Sequence, residues 1–167
     1  PIILFFTSTK FPTLDPDLAK ILRSELTKKN VTFHVGARVE EISGSEVKFS
    51  VKDESLTAQG ELILVATGRK PNLANLGLDN LRVDYDERGG IKVDERCATN
   101  VPGVWAAGDV TGRAWLAHAA SRMAEVVVHN ITGRKDHIRY DSIPSVVYTN
   151  PEIAVVGLTK EQAEERG

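Results

Sequence analysis

Thr99-Asn100-Val101-Pro102-Gly103-Val104-Trp105-Ala106-Ala107-Gly108-Asp109 is the stretch whose reading decides the fold. A Pro-Gly turn releases a short apolar run, Val104 to Ala107, that ends in Gly108 and an acid. Such a run reads as a strand buried on both faces, as in a parallel sheet covered by helices. Small residues at its end permit close approach by a ligand, and ligands of open α/β sheets lie beyond the carboxyl ends of the strands. Asp109 would present a carboxylate there, suited to accept hydrogen bonds from sugar-type hydroxyls. A carboxylate that merely caps the following turn fits the same spacing, and both readings stand at this point.

The same grammar occurs upstream. Glu61 to Ala66 is a near-continuous apolar run closed by Thr67-Gly68, which predicts a second buried strand, with Gly68 leaving room for a nucleotide beside the backbone. Neither run leads into a Gly-x-Gly-x-x-Gly loop, so the phosphate cradle usual in such folds is missing from these residues. Downstream, Leu116, Ala120, Met123, Val127 and Ile131 recur at helical spacing, and Gly133 supplies a left-handed stop. The free N–H groups at the start of this helix, with its positive dipole end, suit electron-rich atoms of a bound ring system. His118 falls in that first turn and reads as a polar first-turn residue, because no second His or paired carboxylate stands near it in sequence. Trp105 and Trp115 read as packing residues.

Further out, Asp15-Pro16-Asp17 starts a helix with a cap, a proline at the first position and an acid near the dipole. Leu18, Ile21, Leu22 and Leu26 form its apolar face, and Lys28-Lys29-Asn30 end it. From Val31 to Val51 the period changes to alternation, which predicts an antiparallel meander broken at Gly36 and at Ser43-Gly44-Ser45. Arg69-Lys70-Pro71-Asn72 breaks the regularity, and turn residues from Asn72 to Gly90 mark a domain crossing. Ile91-Lys92-Val93, Ile143 to Tyr148 and Ile153 to Val156 read as short strands, and Arg134 to Arg139 as a linker. Thr159 with Gln162 opens a last helix by a capping box. The fold class predicted is α/β with an α+β tail.

Composition narrows the function. The 167 residues are 41% hydrophobic and 26% charged, and 21 basic against 23 acidic side chains leave a formal net charge of −2. No basic block provides the footprint a nucleic acid or an anionic membrane requires. The longest apolar runs fall far short of the roughly 20 residues that span a bilayer. The Pro-Ile-Ile-Leu-Phe-Phe opening lacks a signal-peptide pattern, and the expectation is a cytoplasmic protein. Cys97 is the single cysteine, so no disulfide or multi-cysteine metal site forms within one chain. It stands beside Arg96, where a lowered pKa is conceivable, but a bystander is the simpler reading. The opening and closing residues read as the middle of something larger.

Four ordered motifs together resemble the pyridine nucleotide-disulfide oxidoreductases. They are Leu64-Val65-Ala66-Thr67-Gly68-Arg69-Lys70-Pro71-Asn72, Thr99 to Asp109, Leu116-Ala117-His118, and Ile143-Pro144-Ser145-Val146-Val147-Tyr148-Thr149-Asn150-Pro151-Glu152. Leu-Ala-His is more similar to the dihydrolipoyl dehydrogenase branch than to the glutathione or mercuric reductase branches. The resemblance runs from about Phe11 to Gly167. It implies an internal fragment of an FAD- and NAD-dependent homodimer. Residues 1–72 resemble the later part of an NAD domain, 73–136 the returning part of an FAD domain, and 137–167 the start of an α+β interface domain. Both nucleotide-binding domains are Rossmann-like. By the same resemblance, Asp109 is the acid that binds the flavin ribitol, Gly108 beside it belongs to the FAD site, and Trp115, Leu116, Ala117 and His118 face the isoalloxazine. Val39 and Gly68 resemble positions lining the NAD site.

The resemblance further implies a parent that oxidises lipoyl-bearing proteins of 2-oxoacid dehydrogenase or glycine cleavage complexes. Both Gly-rich phosphate loops, the redox cysteine pair and the distal His-Glu pair of the family are absent, so this chain alone is expected to be inactive. An acid for the NAD ribose is expected just before Phe11-Pro12-Thr13, where the sequence reads Leu4-Phe5-Phe6-Thr7. NAD rather than NADP is therefore carried by the resemblance. Alternatives are another disulfide or metal-ion reductase of the family, or a non-catalytic nucleotide-binding or dimerising module.

Overall fold

A computed structural model describes residues 1–5 and 14–167. The stretch Phe11-Pro12-Thr13 and the end of the run Leu4 to Thr7 lie outside the described residues. The elements are β1 (Ile2–Phe5), α1 (Pro16–Lys28), β2 (Thr32–Val35), β3 (Ala37–Ser43), β4 (Glu46–Val51), β5 (Glu54–Gln59), α2 (Leu78–Leu81), β6 (Tyr85–Asp86), β7 (Gly90–Ile91), α3 (Ala117–Ile131), β8 (Ser145–Val147), β9 (Ile153–Val155) and α4 (Lys160–Arg166). The chain is mixed α/β and divides into two compact units, Pro1–Ala66 with Val146–Gly167, and Thr67–Ser145.

In the first unit, Asp15 caps α1 as its residue type demands, its Oδ1 accepting from the Asp17 N–H at 3.0 Å, with Pro16 at the first position. Leu22 is fully buried, with Leu14, Ala19 and Ile153 around it and Leu18, Leu26, Val147 and Val155 packed against them. Ile21, predicted on this face, is exposed. Successive helical positions lie about 100° apart, and the face centres on Leu22, which turns its neighbour outward. Lys29 Nζ donates to the Asn150 carbonyl at 2.9 Å, and the Lys160 N–H to Asp15 Oδ2 at 3.4 Å, so the carboxyl-terminal residues close on this helix. The capping box opening α4 is formed in both directions, Gln162 N–H to Thr159 Oγ1 at 3.3 Å and Thr159 N–H to Gln162 Oε1 at 3.1 Å.

The predicted single meander divides at Gly36. Its first strand, β2, instead pairs in parallel with β1, Ile2 opposite Thr32 through Phe5 opposite Val35, and α1 is the crossover of this βαβ unit. The meander proper is β3-β4-β5. Its second hairpin turns through Lys52-Asp53, both left-handed at φ 50° and 65°, the twist that favours two-residue turns. Glu-Ser-Leu-Thr-Ala-Gln in β5 lacks clear apolar alternation, which is why the sequence did not mark it. Phe49 of β4 is 1% exposed, and His34 of β2 meets its ring edge-on, centroids 4.9 Å apart.

The buried strand predicted at Glu61 to Ala66 is a correction. The segment is not a strand, and Leu62 and Leu64 are 93% and 89% exposed. Burial on both faces requires sheet neighbours at both edges and covering layers, and among the described residues none pairs with it.

The second unit packs around two apolar clusters. One joins Val83, Ile91 and Ala106 to Leu73, Leu78, Val93, Val101, Val104 and Val110. The other joins Cys97, Met123, Val126 and Ile138 to Ala107, Val127, Tyr140 and Ile143. The strand predicted at Val104 to Ala107 is also corrected, to one arm of a tight antiparallel hairpin. Pro102-Gly103 folds Thr99 back on Val104, their N–H and carbonyl meeting at 3.0 Å, Ala98 pairs with Trp105, and the Ala106 N–H donates to the Cys97 carbonyl at 3.1 Å. Local pairing across that turn therefore replaces a parallel neighbour. Ile91-Lys92-Val93 shrinks to β7, Gly90–Ile91, paired with β6.

Helix α3 begins and ends as predicted, with Gly133 left-handed beyond it. Its buried face is Ala119, Met123 and Val126, whereas Ile131 is exposed and Leu116 and Ala120 are half-buried. The carboxyl-terminal end of α3 is fastened by Asp136. Arg122 donates to both its oxygens at 2.7 and 2.9 Å, His129 Nδ1 lies 2.6 Å from Oδ2, and the His137 N–H donates at 2.8 Å. Arg122, then His129, hold the Asp136 carboxyl well below the usual carboxylate range.

A folded value below the unfolded one, which lies near about 3.9, gives stabilisation that is complete above that pH and lost as pH falls through the folded value. Asp136→Asn is therefore expected to lower the urea midpoint at pH 5, with the gap to the wild type narrowing toward pH 3. A gap that stays constant across that interval in parallel titrations would refute the assignment.

Candidate functional site

The site is built on the turn that follows the hairpin. Gly108 to Thr111 forms one 3-10 turn, closed by the Gly112 N–H donating to the Asp109 carbonyl at 3.0 Å. Gly108 is left-handed at φ 79°, and its N–H points at Met123 Sδ, 3.4 Å away. Thr111, 1% exposed, donates its hydroxyl to the Gly108 carbonyl at 2.7 Å. A Cβ on Gly90 would lie 2.5 Å from Thr111 C, and one on Gly112 would strike the Gly89 carbonyl. Only glycine permits this backbone-on-backbone packing at φ 85° and 64°.

Thr111, not Asp109, thus fastens the turn. Among the described residues the Asp109 carboxylate accepts no hydrogen bond, and its side chain is 53% exposed. Its charged neighbour is Arg69, Nη1 to Oδ2 at 3.8 Å. That separation is too long for a hydrogen bond, so both carboxylate oxygens keep their acceptor capacity. The turn-capping alternative for Asp109 falls on this geometry.

Eight residues after Asp109, α3 starts at Ala117 with Leu116 as its cap residue in extended conformation and no side chain capping it. The orphan N–H groups of the first turn are thereby left for solvent or a ligand. Trp115 is half-buried, and Ala117 is exposed. His118 is exposed but committed, its Nε2 2.8 Å from the Pro144 carbonyl oxygen. As a donor to that carbonyl, Nε2 ties the first turn of α3 to Pro144. His118 also lines a cleft of about 410 Å³ with Arg122, Arg139 and Pro144, where Arg122 and Arg139 already pair with Asp136 and Asp141.

Gly108, Asp109, Trp115, Leu116, Ala117 and His118 all lie in the second unit. Gly68 also falls there, exposed at φ 114° with nothing within 4 Å of where a Cβ would stand. Val39 belongs to the first unit, half-buried in β3 opposite Phe49, next to a bulge before Glu41. No cluster of metal-ligating side chains occurs among the described residues.

The sequence reading missed Arg69. Its Nη2 donates to the Trp115 carbonyl at 2.9 Å, and its guanidinium carbon stands 5.2 Å from the Trp115 ring centroid. Arg113 likewise stands 4.7 Å from the Tyr140 ring centroid. Contacts across 46 residues leave no periodic trace in a sequence. Cys97 is resolved as a bystander: it is fully buried, and burial, with Asp94 nearby, pushes its thiol up to about 11.

A carboxylate with free acceptor capacity, an uncapped helix start and glycine-permitted close packing thus fall in one short span of this α/β unit. The family model for pyridine nucleotide-disulphide oxidoreductases matches residues 2–124, and that for their dimerisation domain matches residues 143–167. The chain belongs to the pyridine nucleotide-disulphide oxidoreductase family. It is 42% identical over 158 residues to dihydrolipoyl dehydrogenase of Cupriavidus necator, covering 92% of this chain and 33% of that protein. Leghemoglobin reductase of Glycine max is 39% identical over 171 residues, covering 99% of this chain and 33% of the relative. Among solved structures, LpdA of Mycobacterium tuberculosis superposes with a TM-score of 0.87 at 26% identity, over 99% of this chain and 36% of that one. The HOCl-induced flavoprotein disulfide reductase RclA of Escherichia coli does so at 0.82 and 30%, over 99% and 39%. The chain spans about a third of the length of the curated relatives it matches.

The buried, high-pKa Cys97 is expected to react with a thiol reagent at pH 8 about 100-fold more slowly in the native chain than in urea. Equal rates, followed by absorbance of the released thiolate, would show that the thiol is open.

Proposed function

We propose that this chain forms the returning wall of the flavin site in an FAD- and NAD-dependent dihydrolipoyl dehydrogenase. The observation that carries the reading is Asp109: a carboxylate with free acceptor capacity, held in a turn that opens at Gly108, eight residues before an uncapped helix start. In this reading Asp109 accepts from a ribitol hydroxyl, Gly108 keeps the backbone close, and residues 115–118 turn the positive start of α3 toward the isoalloxazine. FAD, when bound, supplies the two-electron chemistry between a dithiol and NAD. The chain's own part is to bind and orient. Val39 and Gly68 belong to the NAD side.

The domain assignment that accompanies this reading is 1–72 for NAD, 73–136 for FAD and 137–167 for a homodimer interface, with lipoyl-bearing proteins of 2-oxoacid dehydrogenase or glycine cleavage complexes as partners and the cytoplasm as compartment. Cys97 is single and buried, so a redox cysteine pair lies outside these residues and the chain by itself does not turn over. The names of the soybean and Escherichia coli relatives, a leghemoglobin reductase and an HOCl-induced disulfide reductase, favour a second reading in which another family substrate takes the place of the dihydrolipoyl group.

Titration of the 167-residue chain with FAD, followed by flavin fluorescence, is expected to saturate, and Asp109→Ala to weaken binding at least about 10-fold, the loss of a charge-assisted hydrogen bond. Equal affinity in the variant would remove Asp109 from the site. The longer protein that contains this chain is expected to reduce NAD with dihydrolipoamide. Turnover with glutathione disulfide or Hg(II) and none with dihydrolipoamide would select the second reading.

A further inference from the structure

We propose that Arg69 is a positioning residue that fixes the Trp115 indole and the start of α3 relative to Asp109, and through them the flavin wall; its use for flavin rests on the reading above. Three contacts meet on its guanidinium. Nη2 donates to the Trp115 carbonyl at 2.9 Å, the planar group lies over the indole at 5.2 Å, and Nη1 stands 3.8 Å from Asp109 Oδ2. The ion pair contributes little, because both side chains are more than half exposed. What orients is the combination of a donor fixed to a carbonyl and a flat cation fixed to a ring, which only a guanidinium supplies at once.

The carbonyl it holds belongs to the peptide joining Trp115 to Leu116, the cap residue of α3, so its orientation sets how the first-turn N–H groups point. The same link is held at its other end, where Arg113 stacks on Tyr140 at 4.7 Å. Residues 113–116 are therefore clamped by two cation–π contacts between the Asp109 turn and the helix. Arg69 is itself anchored two residues on, where Pro71 is buried. At 3.8 Å its charge faces Asp109 without occupying the acceptor sites, which leaves the carboxylate oxygens available.

The test compares Arg69→Gln and Arg69→Lys with the wild-type chain. In nitrogen–proton NMR spectra, with the indole signals assigned by Trp115→Leu, both variants are expected to shift the Trp115 Nε1–H and the Leu116 and Ala117 amides while leaving Trp105 in place. The FAD dissociation constant is expected to rise about 5-fold, and Arg69→Gln with Trp115→Leu to bind no more weakly than the worse single variant, as coupled groups do. An unmoved Trp115 signal, or additive losses in the double variant, overturns the clamp, and a moved signal with unchanged FAD affinity overturns its role in flavin binding. Should the wild type bind no FAD while the Trp115 signal moves, the flavin reading fails and the clamp stands.

Discussion

Backbone packs directly on backbone where Gly89 and Gly90 meet Thr111 and Gly112, and the rest of the second unit is arranged around that contact. A single methyl at Gly90 or Gly112 would lie inside the opposing main chain, so no side-chain rearrangement relieves it. The approach fixes the 3-10 turn against β7, and Thr111, buried beneath it, returns its hydroxyl to Gly108. With the turn so held, Asp109 need not stabilise it. A carboxylate released from structural duty is what a ligand-binding acid requires, and the contact that releases it is purely steric.

How much of this was legible follows from the range of the interactions. Caps and stops were readable because they are local: Asp15 on the Asp17 N–H, Thr159 with Gln162, and Gly133 beyond α3 each act within three residues. The two apolar runs were legible as apolar and wrong as buried parallel strands. Val104 to Ala107 found a partner nearer at hand in Thr99 and Ala98, since closing a hairpin costs less entropy than recruiting a distant strand. Leu62 to Val65 found none among the described residues. The division at Gly36 went unseen because β2 and β3 share one alternation, and nothing in period-2 patterning tells a strand whether its neighbour runs parallel or antiparallel.

The candidate site shows the same division. Gly108-Asp109 and the start of α3 are sequence-adjacent, so their juxtaposition was readable, and the choice between ligand acid and turn cap was left to geometry. Arg69 was invisible. Its partners lie 40 and 46 residues away, and its own surroundings, Lys70-Pro71-Asn72, carry the signature of a loop. Family resemblance singled out the motif residues, while the guanidinium that connects two of them emerged only when side chains were placed in space.

A wall of this kind also has a consequence for specificity. Relatives bearing such different names as dihydrolipoyl dehydrogenase, leghemoglobin reductase and HOCl-induced disulfide reductase match this chain at 30 to 42% identity. A ribitol acceptor and a helix dipole act on groups of the cofactor that do not change from one substrate to another. On the flavin reading, then, these residues orient a shared prosthetic group, and the choice of substrate falls to segments that bear the redox thiols. The inert burial of Cys97 fits that separation, because a reactive thiol on the cofactor wall would compete for the same electrons.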